Sequence, residues 1–494
     1  MISFDQIPND LRTPGVYTEI NSSRAVSGAQ LLRYRVLLIG QKLQDGAASP
    51  LVPVRVTHLD TARGLFGAGS MLATMVEAAL AQGGTNELWA LPLQDADEAV
   101  ASQGAIALAG QANAAGTLSI YIAGKACHVA VAAGDTAEEL AAKLHGALDE
   151  LADLPVVVTG LPAPLDALGD TVVQLQARHR GEAGDDIDIR LNLHGEPAVP
   201  GITTTITAMS GGARNPDVRP AIAALGDDWF QVWALPYTNA ANLVEVENEL
   251  ADRFDAMREI EGHAFAAARG TLAELSALGT SRNSPHVSIV AAGSEPMPPW
   301  AKAAETAAIA ARYASLDPAR PLKALPYRYC LPPAEIDRQT LQERNLLLFD
   351  GIATTTVEAG GVMVTERLIT TYRRNAAGAV DTAYLDVETL FTLSTLRHDW
   401  KNYLLTKYPR HKVGNDGVRF APGQAVVTPG LIKAEAVSKF REWEELGLVE
   451  NFDQFRADLI VERNAADPSR IDVLLPPDLI NGLRILATQI QFRL

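Results

Sequence analysis

The chain has 494 residues, of which 47% are hydrophobic and 20% charged, and its formal net charge is −17. This composition is typical of a folded globular protein of roughly three domains, and it excludes disordered, collagen-like and fibrous classes. The negative charge disfavours direct wrapping of nucleic acid, because phosphates require a basic surface. The sequence has no run of 18 apolar residues and no basic segment leading into an apolar one at its start. We therefore expect neither a membrane span nor a secretory signal.

Cysteine use and charge distribution add two constraints. Cys127 and Cys330 are far apart, so they predict neither a disulfide framework nor a zinc site, which fits synthesis in a reducing cytoplasm. Residues 95–196 carry sixteen acidic and five basic side chains, whereas residues 397–419 carry six basic and two acidic ones. The first stretch indicates a solvated acidic module. The second indicates either a partner-facing basic surface or ordinary scatter of surface charge.

The first elements in chain order predict a strand–helix–strand unit. Residues 35–40 are a short apolar run closed by glycine, as in a strand that is covered on both faces. Ser70 suits the cap of a helix over 70–82, which Gly83 and Gly84 would end. A second apolar strand follows at 87–92. Such a unit is typical of an α/β sheet domain.

The same alternation returns in the second half of the chain. We predict strands over 229–236 and 285–290 and helices over 239–257 and 299–315. The tetrapeptide Trp-Ala-Leu-Pro occurs at 89–92 and again at 233–236. We interpret the two copies as equivalent strand ends in one sheet, each stopped by proline, and not as a true repeat.

Between these halves, the stretch 97–209 has the pattern of a compact, mostly-β module with one helix. Its predicted strands lie at 116–125, 128–132, 156–159, 172–177 and 187–191, and its predicted helix at 136–151. The first turn of that helix is acidic, which the helix dipole favours. We therefore expect an acidic domain that is inserted into the sheet domain.

A third region follows residue 385. A helix is predicted over 389–405, and Thr428 with Pro429 opens a second helix that Gly447 ends. Residues 456–463 alternate in hydrophobicity and predict a strand.

Both chain ends have the pattern of extended strands. The candidate strand residues are Val16, Tyr17, Thr18, Glu19 and Ile20 near the start and Leu486, Thr488, Ile490, Phe492 and Leu494 at the end. A strand must pair its backbone N–H and C=O groups, either within its own chain or by addition to a sheet of a neighbouring copy. The pattern leaves both possibilities open.

The sequence offers little for catalysis or cofactors. It lacks HExxH, CxxC, P-loop and GxSxG motifs. The glycines of 64–69 do not directly follow a convincing strand, and capping by Ser70 explains them better than a phosphate loop does. Residues 184–188 gather three carboxylates but lack the EF-hand spacing, so a turn is the better interpretation. We predict no metal and no cofactor.

One segment of the sequence suggests an alternative function. Residues 279–285 match the glycine, threonine, serine and proline of the subtilisin nucleophile motif, and Asp252 and His263 precede Ser281 in the order those proteases use. A subtilisin-like serine hydrolase is the alternative function. Against it, the protease serine begins a buried helix, whereas a predicted strand follows Ser281, and His263 falls on a predicted helix. We expect that the chain is not an enzyme.

Several stretches resemble the tail sheath proteins of Mu-like contractile-tailed bacteriophages. They are residues 7–19, 35–41, 66–72, 320–322, 343–352, 367–372, 404–412 and 428–429. Each stretch is short, but together they keep their order and spacing over nearly the whole chain.

The resemblance implies an α/β fold (α+β overall) with a discontinuous, subtilisin-like core. The implied domains are an N-terminal arm (1–29), the core (30–96 and 210–385), an outward-facing inserted mostly-β domain (97–209), a C-terminal α+β domain nearest the tail tube (386–480) and a C-terminal arm strand (481–494). In such a protein the arms add strands to sheets of neighbouring subunits, and Asn481 with Gly482 is a candidate hinge.

The implied function is that of a structural subunit of a contractile tail sheath. Subunits polymerise as stacked six-fold rings around the tail tube and contract, which drives the tube through the host envelope for genome ejection. The implied partners are further copies, the tube protein, and the baseplate and tail terminator proteins, in a virion assembled in the host cytoplasm. Lys401, Lys407, Arg410 and Lys412 are possible tube-facing residues. Another self-assembling surface protein is a third alternative.

Overall fold

The computed structural model describes Leu32 and residues 34–493, except residues 85, 161–162, 165–170 and 422. The candidate N-terminal strand, residues 16–20, and Leu494 therefore lie outside the described residues. The chain divides into two units. The core unit comprises residues 33–394 and 481–494, and the C-terminal unit is described over 395–480. Among the described helices, none is both long and apolar enough to cross a membrane.

The first βαβ unit is as predicted, with one additional helix. Its elements are β1 (Arg35–Gln41), β2 (Val54–Arg55), α1 (Leu59–Phe66), α2 (Met71–Ala81) and β3 (Glu87–Leu93). The Ser70 hydroxyl accepts a hydrogen bond from the N–H of Ala73 at 3.0 Å, which confirms the predicted cap. The helix α1 was not predicted. The glycines at 64–69 end this helix and lead into the next one.

The segment that follows forms two antiparallel sheets of its own. Its elements are β4 (Ala101–Gly110), β5 (Gly116–Ile122), β6 (Lys125–Val131), α3 (Ala137–Asp149), β7 (Val156–Val158), β8 (Ala163–Pro164), β9 (Thr171–Arg180), β10 (Ile189–Leu191) and β11 (Ile202–Ser210). One sheet has the order β10-β5-β6 and the other β11-β4-β9-β7, with β8 on β9. The helix α3 packs against strands of both sheets. About half of the described residues of this segment thus lie in strands, which surround one α-helix.

The chain then returns to the α/β pattern. The elements are α4 (Arg219–Leu225), β12 (Val232–Ala234), α5 (Ala240–Phe254), β13 (His263–Ala268), α6 (Leu272–Thr280), β14 (Val287–Ala291), α7 (Pro299–Ala314), α8 (Leu341–Phe349), β15 (Ile352–Val357) and β16 (Met363–Arg367). Strands from both halves join one sheet in the order β16-β15-β14-β13-β12-β1-β3-β2. Its inner strands are parallel, and only the outermost pairs, β2–β3 and β15–β16, are antiparallel.

The burial of β13 explains why one prediction from the sequence is wrong. The sequence predicts a helix at His263, but this residue begins β13, whose sequence His-Ala-Phe-Ala-Ala-Ala is buried at every position. Alanine favours helices, yet a strand inside a parallel sheet must be apolar on both faces, and the small side chains meet that need. The helix α7 packs against this strand and against α2. The predicted helix is therefore wrong, because tertiary burial outweighs local propensity.

The last elements lie mostly in the C-terminal unit. They are α9 (Val387–Lys407), β17 (Lys412–Val413), β18 (Val426–Val427), α10 (Pro429–Glu445), β19 (Val449–Glu450), α11 (Phe452–Asp458), β20 (Ile460–Arg463), β21 (Ile471–Leu474) and β22 (Asp478–Leu479). Thr428 caps α10 as predicted, since its hydroxyl accepts from the N–H of Leu431 at 3.3 Å. Residues 456–458 are helical and not a strand. The side chains of Phe455 and Leu459 are buried at the i, i+4 spacing of a helix, which the alternation concealed.

Candidate functional site

The end of the chain is an exposed apolar ribbon. Residues 485–493 lie outside helices and strands, and all nine are exposed. Leu486, Ile490 and Phe492 expose 81%, 86% and 79% of their surface. Thr488, the fourth described residue of the predicted face, is exposed as well. Burying one large apolar side chain is worth about 1.5–3 kcal/mol, so this ribbon leaves several such contributions unused in the single chain.

The strand predicted for the ribbon does not form within the described chain. Because Leu486, Thr488, Ile490 and Phe492 are outside every described sheet, pairing with a neighbouring copy stays a prediction. The predicted hinge at Asn481 and Gly482 needs correction at Gly482. A Cβ atom at Gly482 would lie 2.6 Å from Cγ of Pro321, so the backbone there is packed against the core unit. Leu483 is exposed as well, but the uninterrupted exposed run begins after Arg484.

A second exposed element is the hairpin of β20 and β21 in the C-terminal unit. Its cross-strand pairs are Ile460–Leu474, Val461–Val473, Glu462–Asp472 and Arg463–Ile471. Ile460 and Leu474 lie opposite each other and expose 52% and 56% of their surface. Within the described residues, no backbone hydrogen bond closes either outer edge of this hairpin.

The hairpin has an ordered turn and lies against α10. Asn464 holds the turn, since its side-chain oxygen accepts from the N–H groups of Ala466 and Asp467 at 2.9 Å each. A two-stranded hairpin is marginally stable alone, and its unpaired edges are templates for further strands. The strand predicted over 456–463 contains all of β20 but extends too far into α11, and β21 was not predicted, since four residues of mixed polarity give little periodicity.

The four possible tube-facing residues lie in or next to the C-terminal end of α9, and all are exposed. Lys407 is nevertheless engaged, because its Nζ lies 2.7 Å from a carboxylate oxygen of Glu435 and 2.8 Å from the hydroxyl of Tyr403. Burial opposes ionisation of Glu435, but hydrogen bonds from Lys407, Tyr403 and Tyr408 outweigh it and lower the pKa of Glu435. Lys407 thus helps to hold this unit together.

The other three cations also lie on the surface. Lys412 donates to the side-chain oxygen of Gln424 at 3.0 Å, across an exposed loop. Lys401 and Arg410 are surface residues. The basic stretch is therefore a surface feature, and its partner stays a prediction.

The three residues of the hydrolase alternative bind three different partners. Ser281 ends α6, and its hydroxyl donates to the carbonyl of Leu278 at 2.7 Å. Asp252 forms an ion pair with Arg258 at 2.6 Å on the surface. Nε2 of His263 lies 2.8 Å from the hydroxyl of a different serine, Ser288.

The environment of His263 also argues against catalysis. Its side chain is buried, and burial, followed by the charge of His286, lowers its pKa to about 3. The imidazole is therefore neutral at pH 7. Its partner Ser288 is fully buried, so no substrate reaches the pair. The serine hydrolase alternative is not supported.

Protein groups are the partners of the other polar motifs. At the start of α2, the Ser70 hydroxyl accepts from the N–H of Ala73 and Nε2 of His179 accepts from the N–H of Met71, each at 3.0 Å, so both of these backbone donors already have protein partners. In the carboxylate cluster, Asp185 accepts from the hydroxyl of Ser102 at 2.6 Å and from the N–H of Gly212 at 2.8 Å. Among the described residues, no group of three or more His, Cys, Asp or Glu side chains could hold a metal ion.

Comparison with known proteins assigns both units to one family. The model of the phage tail sheath protein central domain matches residues 211–371, and that of the phage tail sheath C-terminal domain matches residues 379–493. The chain is 42% identical over 492 residues to the Mu-like prophage FluMu tail sheath protein of Haemophilus influenzae, and the match covers 99% of each protein.

Two solved structures share the fold at low sequence identity. The sheath tail protein from Desulfitobacterium hafniense has a TM-score of 0.50 at 14% identity, over 95% of this chain and 97% of that one. The sheath tail protein from Listeria innocua has a TM-score of 0.50 at 13% identity, over 93% and 95% of the two chains. These likenesses concern the fold alone.

Proposed function

Because the chain belongs to the phage tail sheath protein family, we propose that its exposed C-terminal ribbon links copies of it into the sheath of a contractile, Mu-like phage tail. The protein is a structural subunit of that tail and not an enzyme. In the finer proposal, subunits form stacked six-fold rings around the tail tube. Their contraction drives the tube through the host envelope, and the sheath contacts the tube, baseplate and terminator proteins of a virion assembled in the host cytoplasm.

The observation that carries the proposal is the presence of a strand donor and a strand acceptor in one chain. The donor is the ribbon 485–493, and the acceptor is the hairpin of β20 and β21 with its unclosed edges. Strand addition uses main-chain hydrogen bonds for affinity and alternate side chains for fit. When donor and acceptor surfaces differ, the association is head-to-tail and builds rings or helical filaments. This is the geometry that a sheath requires.

Charge complementarity supports the same pairing. The ribbon contains Arg493 and no acidic side chain, whereas Glu462 and Asp472 lie directly opposite each other on the hairpin. Like charges on facing positions destabilise a strand pair. Asp472 is already paired with Arg470 within the hairpin, so a cationic strand beside the hairpin would act on Glu462.

Strand exchange also suits contraction. Subunits that rotate past one another need links that bend without breaking. A paired strand keeps its ladder hydrogen bonds while the dihedral angles of its tether change. The exposed residues next to Arg484 are the described part of such a tether.

We also propose the division inferred from the sequence, with residues 97–209 as an outward-facing insertion and the subtilisin-like description for the core sheet. The insertion is supported by the separate sheets of 101–210, which lie in sequence between β3 and β12 of the central sheet. Its acidic character suits an exposed position.

The experiment is removal of residues 485–494 by truncation after Arg484, with electron microscopy of the purified full-length and truncated chains. We expect helical tubes or stacked six-fold rings from the full chain and a folded monomer from the truncated one. Tubes from the truncated chain would contradict the role of the ribbon. Flat lattices or monomers from the full chain would contradict the sheath proposal.

A matched pair of substitutions tests the strand face. Ile490→Asp places a charge on the predicted apolar face, whereas Gln491→Asp places the same charge on the opposite face. We expect Ile490→Asp to abolish tubes and Gln491→Asp to preserve them. Equal effects would argue against a strand with one buried face.

A further inference from the structure

The base of the ribbon is attached to the core unit. In the C-terminal unit, β22 pairs with β19, and the N–H of Ile480 donates to the carbonyl of Leu448 at 3.1 Å. From residue 481 onward the chain belongs to the core unit. Four residues, 481–484, therefore lie between Ile480 and the ribbon.

Arg484 makes the central contact of this base. Its Nη2 lies 3.2 Å from Oδ1 of Asp386 and 3.2 Å from Oε2 of Glu388. The side chains of Arg484 and Glu388 expose only 18% and 5% of their surface. The main chain is held too, since Nζ of Lys323 donates to the carbonyl of Arg484 at 3.1 Å.

The two carboxylates that Arg484 contacts are also held by other groups of the core unit. Oε1 of Glu388 accepts from the N–H of Leu322 at 2.6 Å, and Asp386 accepts from Nε and Nη2 of Arg367 at 2.9 and 3.0 Å. Burial raises the pKa of Glu388, while the positive charge of Arg484 acts in the opposite direction. A buried carboxylate needs a partner to stay ionised, and Arg484 is the cation at ion-pair distance.

We propose that Arg484 is a positioning residue that clamps the base of the ribbon to the core unit and thereby decides which neighbouring copy the ribbon can reach. This inference rests on the proposed function. A segment anchored at Arg484 has ten residues beyond the anchor, 485–494, which can reach at most about 35 Å, whereas a segment anchored at Ile480 has fourteen, 481–494, which can reach about 50 Å. A tether that is too long lowers the effective concentration at the correct acceptor and admits others.

The first test measures the clamp in the single subunit. Glu388→Gln removes the buried negative charge and keeps Arg484 as a trypsin site. In the monomeric fraction, we expect tryptic cleavage after Arg484 to become at least tenfold faster, with cleavage after Arg419, an exposed residue of the C-terminal unit, unchanged as the internal control. An unchanged rate after Arg484 would overturn the proposal.

The second test measures assembly by electron microscopy. We expect Arg484→Ala to replace tubes of one diameter by irregular or mixed polymers, and Arg484→Lys, which keeps the charge, to restore most ordered tubes. Lys433→Ala removes an exposed positive charge on α10, outside the ribbon and the clamp, and should leave the lateral order of the polymers intact. If Arg484→Ala does not fold, Glu388→Gln is scored in its place.

The two proposals fail in different ways. Regular wild-type tubes together with identical tubes from Arg484→Ala and Glu388→Gln would overturn the clamp and leave the sheath function standing. Absence of tubes or rings from the wild-type chain would overturn the sheath function, while faster cleavage after Arg484 in Glu388→Gln would still support the clamp as a contact.

Discussion

Trp89 and Trp233 lie at the same level of the central sheet, on opposite sides of Leu37, which pairs with Trp89 in β3 and with Trp233 in β12. Both begin a Trp-Ala-Leu-Pro tetrapeptide, and the prediction that the two copies mark equivalent strands of one sheet is confirmed. The prediction that proline stops each strand is wrong for β3, which continues through Pro92 to Leu93. The surroundings of the two tryptophans differ. Trp233 is fully buried and Nε1 donates to the carbonyl of Phe230 at 2.9 Å, whereas Trp89 is half-buried beside the guanidinium of Arg35.

This difference predicts unequal losses of stability on substitution. Trp233→Ala should lower the free energy of unfolding by about 3–5 kcal/mol, because it leaves a cavity in the sheet core, whereas Trp89→Ala should cost about 1–2 kcal/mol. Urea unfolding of the chain truncated after Arg484 measures both without a contribution from assembly. If both variants lost the same free energy of unfolding, the loss would depend on the position in the sheet register and not on burial.

His263 predicts a pH dependence of stability. Its pKa is about 3 in the folded chain, against an ordinary value of 6.5, so between these values the unfolded chain binds a proton that the folded chain does not. The contribution of His263 to the free energy of unfolding is complete above pH 6.5. It is lost as the pH falls, at about 1.4 kcal/mol for each pH unit.

The measurement is urea unfolding at pH 6.5 and pH 5 of the wild-type chain and of His263→Gln, which cannot titrate. Over this interval the wild-type chain should lose about 2 kcal/mol more than the variant. The same loss in both chains would mean that other groups account for the acid sensitivity.

We expect substitution of Ser281 to have little effect on stability and none on assembly. Ser281→Ala removes one hydrogen bond at the exposed end of α6, so the free energy of unfolding should fall by no more than about 1 kcal/mol and assembly should be unchanged. Peptidase assays on the wild-type chain and the variant provide the check. Activity that is present in the wild-type chain and lost in the variant would revive the hydrolase alternative.

Charge reversal separates a structural from a tube-facing role of the basic stretch. Lys407→Glu places a carboxylate beside Glu435 and should lower the free energy of unfolding by about 1–2 kcal/mol, whereas Arg410→Glu on the surface should change it by less than about 0.5 kcal/mol. If this surface faces the tube, Arg410→Glu should still reduce co-assembly with the tail tube protein.

The matched control is Lys433→Glu, which reverses another exposed charge of the same unit on α10. Sheath length on purified tubes, counted by electron microscopy, should fall for Arg410→Glu and stay at the wild-type value for Lys433→Glu. Normal sheath length with Arg410→Glu would remove that residue from the tube-facing set.

Local periodicity predicted two kinds of element: helices and strands that bury one face, and strands in which nearly every side chain is buried. The helix α2 with its Ser70 cap and the strands β1 and β3 are examples. The strands β4 and β11 were missed, because Ala101–Gly110 is rich in alanine and glycine and Ile202–Ser210 is rich in threonine, which blurs the contrast between faces. Where composition was ambiguous, as at His263, only the neighbouring strands decided the outcome.

The amino-acid sequence by itself was sufficient for the family, for the βαβ pattern around Leu37 and for an alternating apolar pattern that ends at Leu494, because these depend on residue order and on spacing within a short window. The tertiary structure alone decided that His263 faces Ser288 and not Ser281, and that Arg484 meets Glu388. Those contacts join residues that are distant in sequence or belong to different elements. Their geometry follows from how sheets and helices pack, which no local period encodes.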